Sequence, residues 1–466
     1  MTRPRVAVAA IVAACVALAA PAAAQASLAV TTGTTQAGAP ADVTINASFA
    51  SDAKDKPVNL HLPAGLVGNP GPPFTQCSES DFQNDACPDS SKVGTTSANG
   101  LGPLAAGDIF NMVPQGDEPA RLGITVNLLG IASLAHNEAS VKVRADGGLD
   151  STIASLASPL PVNSLKLVLD SDFVTLPTSC GTKTITMDAA GTSQSGTFAV
   201  DGCGSVPFTP GAGISVLNPQ RTQPTGATAT LTVPNGGAIH QSHVRRAEVK
   251  LPVGTTLSPG VANGLVACSA SQFAASSCPA ASQIGSVSFN TPLIAQALAG
   301  RVFFGQPASG VYPLLVAVDD HGVHLKLTGQ VTLDQATGQI TTVFDDLPQV
   351  PFTSFALTFQ GGDRAVLANP SSCGPKTLSA TLTPWSGNAP KTVTAAYSVT
   401  GCTTPTPFRP TLAVKSDSTL AGRPSGALAI TIARPDGDQD FGAVETNLPP
   451  GLAGKLSGVP LCSEAD

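Results

Sequence analysis

The chain has 466 residues, of which 42% are apolar and only 12% charged, with a net charge of -7. With 24 Lys+Arg it lacks the concentrated positive surface that a nucleic-acid partner needs, and 4% aromatics argue against an extensive stacking platform. Gly 46 and Pro 40 are too many for a helical bundle and too few for collagen or a disordered linker, and the length suggests about three domains.

Residues 1–26 read as a secretory signal peptide. Arg3 and Arg5 precede the apolar run Val6 to Ala20, and Ala24-Gln25-Ala26 is a small-x-small cleavage site. The mature chain is expected to start at Ser27, with a charge of 22 minus 31, or -9. The run is short for a membrane anchor, and no later run reaches the length of a transmembrane helix. A lipoprotein reading at Cys15 is the alternative.

Short alternating segments follow, bounded by Gly, Pro, Asn and Asp, which is the signature of strands. Val58 to Leu62, Arg121 to Leu129, Ala139 to Val143, Leu165 to Asp170 and Thr182 to Met187 come first. Thr228 to Val233, Val244 to Leu251, Tyr312 to Val318, His324 to Leu333 and Phe355 to Phe359 come next, then Thr411 to Val414 and Ala427 to Ile432. Thr328-Gly329 and Thr337-Gly338 are expected to be turns. Ser151 to Ala157 and Pro292 to Leu298 could each form a helical turn or two. Neither is long enough for a βα crossover, so parallel α/β folds are excluded.

The cysteines expose a repeat. Cys77 and Cys87 have the same spacing as Cys268 and Cys278, and both pairs end in Cys-Pro. Cys180 opens Cys-Gly-x-Lys-Thr and closes at Gly-Cys203; Cys373 and Gly-Cys402 repeat this. Leu62-Pro63-x-Gly65 returns at Leu251-Pro252-x-Gly254 and at Leu448-Pro449-x-Gly451. The offsets are 191 for Cys77 to Cys268, 193 for Cys180 to Cys373 and 194 for Cys268 to Cys462. This is a tandem array. Cys462 is read as the start of a third short pair whose partner would fall near position ~472, and so as an orphan of truncation. Disulfides Cys77–Cys87, Cys180–Cys203, Cys268–Cys278 and Cys373–Cys402 are expected in an exported chain, each worth roughly 3 kcal/mol by loop closure. No Cys spacing suits structural zinc.

The fold class expected is all-β: tandem immunoglobulin-like antiparallel β-sandwich domains. The division is 27–106, 107–206, 207–299 and 300–404 for two sandwiches per repeat, with 405–466 opening a third repeat. One larger composite sandwich per repeat is the alternative. Pro207 to Gly211 and Thr403 to Pro410 are read as stiff junctions.

Signals for chemistry are sparse. Asp319-Asp320-His321-Gly322, followed by His324, could be a divalent-metal loop, though a polar turn between Val318 and Val323 is the plainer reading. His240-x2-His243 has the same spacing. Asp436-x-Asp438-x-Asp440 resembles the start of a calcium loop, but Phe441 and Asn447 stand where an EF-hand needs Gly and Glu. Asp345-Asp346 is read as another acidic turn. Trp385 is read as a core plug, with a ligand platform as the lesser alternative. No nucleophile elbow, zinc-protease string or P-loop occurs. No catalytic residue and no cofactor is assigned, structural calcium aside, and the extracellular or envelope partner is unknown.

Leu-Pro-x-Gly, Cys-Ser-Glu-x-Asp with its Cys-Pro closing, and Phe344-Asp-Asp-Leu-Pro-Gln-x-Pro-Phe352 with Asn369-Pro-x-x-Cys373-Gly carry a resemblance. The chain resembles large secreted repeat proteins of high-GC actinobacteria. The resemblance implies an exported or envelope-associated protein and supplies no catalytic residues. The first unit departs from it at Ser158-Pro159-Leu160-Pro161, where the second has Asp-Asp-Leu-Pro. A secreted or cell-surface structural or adhesive rod is the reading that results. A carbohydrate- or calcium-binding array, and the non-catalytic stalk of an extracellular hydrolase, are the alternatives.

Overall fold

The computed structural model describes residues 26–127, 133–258, 264–402, 407–422, 427–435, 438–454 and 457–460. The signal segment up to Gln25, Leu128 and Leu129, junction residues 403–406, Asp436 and Cys462 lie outside the described residues.

Alternating burial builds the strands, as in Leu28 and Val30 or Val43, Ile45 and Ala47, which point inward from successive strands. The first unit contains β1 (Ser27–Thr32), β2 (Val43–Ser48), β3 (Val58–Leu62), β4 (Val67–Gly68), β5 (Lys92–Ala98), β6 (Ala106–Met112), β7 (Ala120–Asn127), β8 (Ser133–Val143), β9 (Leu149–Ile153), β10 (Ser164–Leu169), β11 (Val174–Thr175), β12 (Gly181–Ala189) and β13 (Thr192–Val200). The second contains β14 (Gly211–Val216), β15 (Pro224–Thr225), β16 (Ala227–Thr232), β17 (Val244–Lys250), β18 (Thr256–Leu257), β19 (Gln283–Thr291), β20 (Ile294–Phe304), β21 (Tyr312–Asp320), β22 (Val323–Leu333), β23 (Ile340–Phe344), β24 (Ser354–Phe359), β25 (Leu367–Ala368), β26 (Gly374–Pro384) and β27 (Lys391–Val399). A hairpin of β28 (Thr411–Ser416) and β29 (Leu428–Ala433) follows.

Each unit forms one 11-stranded antiparallel sheet. The orders are β1-β2-β10-β5-β6-β7-β8-β9-β3-β12-β13 and β14-β16-β24-β19-β20-β21-β22-β23-β17-β26-β27. The two ends of each sheet approach one another, with parallel bridges Gln36↔Asp201 and Gln220↔Thr400. Each sheet therefore rolls into a nearly closed shell, and the chain is an all-β tandem repeat.

Halving each unit at 106/107 and 299/300 does not match these sheets. The first boundary falls at the start of β6, and the second falls inside β20. β10 inserts between β2 and β5, and β3 between β9 and β12. The β5–β6 and β19–β20 hairpins cross the two boundaries, and these long-range ladders add to them, so the halves form one hydrogen-bonded surface.

Three local expectations also change. Pro292–Leu298 is not helical: β20 folds back on β19, pairing Phe289 with Leu298. Ser151–Ala157 is instead the end of β9 and the bend beyond it. Thr328-Gly329 is not a turn but the middle of β22, where a Cβ on Gly329 would lie 2.7 Å from the Phe344 ring. Glycine permits that cross-strand approach. Thr337-Gly338 does turn the chain, with Gly338 at φ 67.

The helices are short and sit inside disulfide loops. Ser78 caps α1 (Glu79–Gln83) through Oγ, which accepts from the Asp81 backbone N–H at 3.1 Å. Ser269 and Gln272 form a capping box on α2 (Ala270–Ala274). The structure holds disulfides Cys77–Cys87, Cys180–Cys203, Cys268–Cys278 and Cys373–Cys402.

Candidate functional site

Two regions emerge from the packing: a junction between the units and a chamber inside the second.

The junction begins with the linker. Val206 is buried in the core of the first unit, while Phe208, two residues on, is buried with Val233, Val244 and Leu382 of the second. Pro207 separates them with a fixed φ. The loop after β23 then reaches back into the first unit. Gln349 is buried, and its backbone N–H donates to the Asp146 carbonyl at 3.2 Å. In its better-satisfied orientation, its side-chain amide donates to Ser179 Oγ at 3.0 Å and accepts from the Ser179 backbone N–H at 3.2 Å. Lys183 Nζ donates to the same Oγ at 2.7 Å, and partial burial lowers its pKa. The approach is so close that a Cβ on Gly147, at φ +86, would sit 2.7 Å from the Gln349 nitrogen. Arg144 holds this turn by donating to the Leu62 carbonyl at 2.8 Å and to Asp150 at 2.7 Å.

Trp385 braces the loop from the other side. Its Nε1 donates to the Leu347 carbonyl at 3.1 Å, and its backbone N–H donates to the His243 carbonyl at 2.9 Å. The His243 N–H in turn donates to Thr178 Oγ1 of the first unit at 3.2 Å. Burial, reinforced by His240, holds the His243 imidazole down to a pKa of about 3, so the ring is neutral. The β21–β22 hairpin adds a third contact. His321 and Gly322, at φ 47 and 72, make a tight turn against Glu118, and His324 Nε2 lies 3.0 Å from Asp117.

The ladders align the interiors residue by residue. Ile45 of β2 faces Leu167, and Ala229 of β16 faces Leu357. Leu60 of β3 faces Met187, and Val249 of β17 faces Ala380. By the same registers Val58 corresponds to Ala247, and Phe173 corresponds to Val366 beside the small β4–β11 and β18–β25 pairs. Phe74 and Phe173 of the first unit make an edge-to-face pair at 5.8 Å. Leu265 and Val366 stand at those places in the second. Phe344 for Ile153 and Leu382 for Ala189 return bulk on one wall, and Leu231 for Ala47, Phe355 for Leu165 and Phe289 for Ala98 return bulk beside Ala229.

The first interior is a continuous cluster of buried side chains, including Ile45, Phe49, Leu176, Ile185 and Met187. The second encloses a cavity of about 510 Å³. Ala229, Ala247, Leu325, Phe344, Phe355 and Val366 are among its walls, and among the described residues no charged side chain lines it. Shells of about eight strands are those that side chains just fill; more strands enclose space unless the shell flattens. The end facing the first unit is closed by Leu347, Val350 and Phe352. Lining residues that reach solvent, Leu257 (48% exposed) and Leu333 (38%), lie at the far end, where Leu333 pairs with Ile340 and the Leu251 N–H donates to Ile340.

The sequence-predicted sites disperse. Asp438 is buried and held by Arg409, Nη2 to Oδ1 at 2.9 Å; Asp440 pairs with Arg434 at 2.5 Å. Two of the three proposed calcium carboxylates thus face arginines, and Asp436 lies outside the described residues. Asp345 pairs with Arg246 at 3.6 Å. Asp319 and Asp320 each face a histidine, His324 at 2.7 Å and His321 at 2.8 Å. Among the described residues no group of three or more His, Cys, Asp or Glu could hold a metal ion. No described helix is long and apolar enough to cross a membrane. Trp385 lies at the junction and not in the chamber wall. Sequence reasoning missed Gln349, Thr178, Ser179 and the chamber. The available signal was the Asp-Asp-Leu-Pro-Gln stretch, which sets the second unit apart from the first.

No family profile and no curated protein matches the chain. Among solved structures, the C-terminal domain of the Streptococcus agalactiae antigen I/II polypeptide BspA is 9% identical, covering 80% of this chain and 100% of that one at a TM-score of 0.22. The C-terminal domain of Streptococcus pyogenes AspA is 11% identical over 80% of this chain and 100% of that one, at 0.20. The N-terminal domain of the Streptococcus gordonii adhesin Sgo0707 is 11% identical over 76% and 60%, at 0.19. These superpositions transfer no site residue to this chain.

Proposed function

We propose that the chain is a non-enzymatic, exported repeat protein, secreted or at the cell surface, whose structural or adhesive role rests on a semi-rigid array. The carrying observation is the junction. The linker has one buried foot in each core, Val206 and Phe208, and Gln349 locks the second unit onto the first. Four disulfides suit an oxidising compartment. An array of this kind extends by whole units and adds weak contacts with each, which multivalency strengthens. The test is small-angle scattering of the mature protein beside a Phe208→Ala/Gln349→Ala variant. The expected result is one rigid two-unit particle that loosens in the variant. A wild-type profile that needs freely jointed units would overturn the reading. N-terminal sequencing of exported protein should begin at Ser27.

A further inference from the structure

We infer that the second unit is a binding compartment for a single long hydrocarbon chain, of the kind carried by fatty acids and glycerolipids. This goes beyond the proposed array and does not depend on it. Four observations carry it. The cavity, about 510 Å³, lies in the range of small-molecule sites. Its wall is mainly aliphatic and aromatic, the hydroxyls of Thr230, Ser258, Tyr312 and Thr342 are its polar groups, and among the described residues no charged side chain lines it, so it selects for hydrocarbon. An apolar space of this kind excludes water and is costly to leave empty. Finally, the first unit has the same sheet around a continuous buried cluster: Ile45, Leu60, Met187 and Phe173 stand where the second has Ala229, Val249, Ala380 and Val366, while the second has the larger Leu231, Phe355 and Phe289 on another part of the wall.

The geometry also orients the occupant. One end is shut by Leu347, Val350 and Phe352 against the first unit. The other presents Leu257 and Leu333 to solvent. Tyr312, stacked on Phe304 at 6.5 Å, stands at that open end, where β21 begins opposite Val331. The chain enters methyl end first, and its polar head stays at the mouth, because no lining side chain could neutralise a carboxylate within.

The test uses the mature protein stripped of lipid on a hydrophobic resin. It is titrated with cis-parinaric acid, whose fluorescence rises in apolar surroundings. Oleic acid and dioleoyl-phosphatidylcholine vesicles serve as competitors. Saturable binding of one probe per chain is expected. Displacement by oleic acid alone assigns a free acid, and displacement by vesicles assigns a membrane-borne chain. The Ala229→Ile/Val366→Phe variant moves two positions toward the first unit's residues and should weaken binding at least 10-fold while retaining its β circular-dichroism spectrum. Should that variant misfold, a photoreactive fatty acid on the wild type decides: label confined to peptides within 211–399 supports the proposal. Absence of saturable binding, label spread over both units, or undiminished binding by the folded variant would overturn it.

Discussion

The first unit is filled and the second is hollow, although both roll the same 11-stranded order around their interiors. Strand pairing therefore does not dictate what the shell contains. The ladders conserve which positions face inward, while side-chain volume at those positions decides between core and compartment. In the first unit Val43, Ile45, Met187 and Phe173 are buried within one cluster. In the second, alanine or valine at these four matched positions leaves facing side chains without partner atoms, more than Leu231, Phe289 and Phe355 restore, and that loss of dispersion contact is what a cavity is.

Opposite responses to the same swap would sharpen this comparison most. Ile45→Ala should destabilise the first unit by about 2–5 kcal/mol, because it opens a cavity in a packed core. Ala229→Ile at the matched position should leave the second unit unchanged or stabilise it, where a packed core would lose about 1–3 kcal/mol to overpacking. Chemical denaturation of each variant reads both. Equal destabilisation by the two would erase the distinction.

Acid should strike at the junction. His243 has a folded pKa of about 3 against 6.5 for the unperturbed group, so the unfolded chain binds the extra proton between those values. Stability from this group is full above pH ~6.5 and falls as the pH drops toward ~3, by about 1.4 kcal/mol per pH unit within the window. His243→Phe should flatten that slope in pH-resolved melting curves; an unchanged slope would move the cause elsewhere. His61 acts in the opposite sense. Asp150, with help from Asp188, raises its pKa, so its contribution is complete below the unfolded pKa and is lost as pH rises through the folded one.

Gln349→Ala should cost the junction about 1–3 kcal/mol by leaving the backbone N–H groups of Thr178 and Ser179 and the Ser179 hydroxyl underpaired. Calorimetry should then show the two units melting further apart. The smallest effect is expected at the partly exposed Lys92–Asp108 pair, 2.6 Å apart in the first unit. Lys92→Ala should cost less than about 1 kcal/mol, and a larger loss would mean that the pair holds the β5–β6 register.

Much of the scaffold was legible. Equal cysteine spacings and the recurring Leu-Pro-x-Gly gave the repeat, and alternation gave β3, β10 and β22, which bury alternate residues over part of their length, and also β16. β5 and β13, written Lys-Val-Gly-Thr-Thr-Ser-Ala and Thr-Ser-Gln-Ser-Gly-Thr-Phe-Ala-Val, carry too few large apolar residues to announce themselves. Pro292–Leu298 looked helical because its apolar residues are contiguous; the β19 ladder made it a strand. The insertion of β10 between β2 and β5 pairs Leu167 with both Ile45 and Thr96, far away in the chain, and no local pattern records it. The chamber was illegible for the same reason. Its bulk deficit appears only when Ile45 is set against Ala229 and Phe173 against Val366, and that alignment requires the ladders.

The β28–β29 hairpin extends the comparison. Val414 and Ile430 match Val30 and Ile45 in register, yet they are exposed where their counterparts are buried.

Crystals of the mature protein pressurised with xenon test the contrast most directly, since xenon enters apolar cavities and not packed cores. The account expects xenon in the second unit, near Ala229, Ala247 and Phe344, and none among Ile45, Ile185 and Met187 of the first. Xenon in both interiors, or in neither, would contradict it.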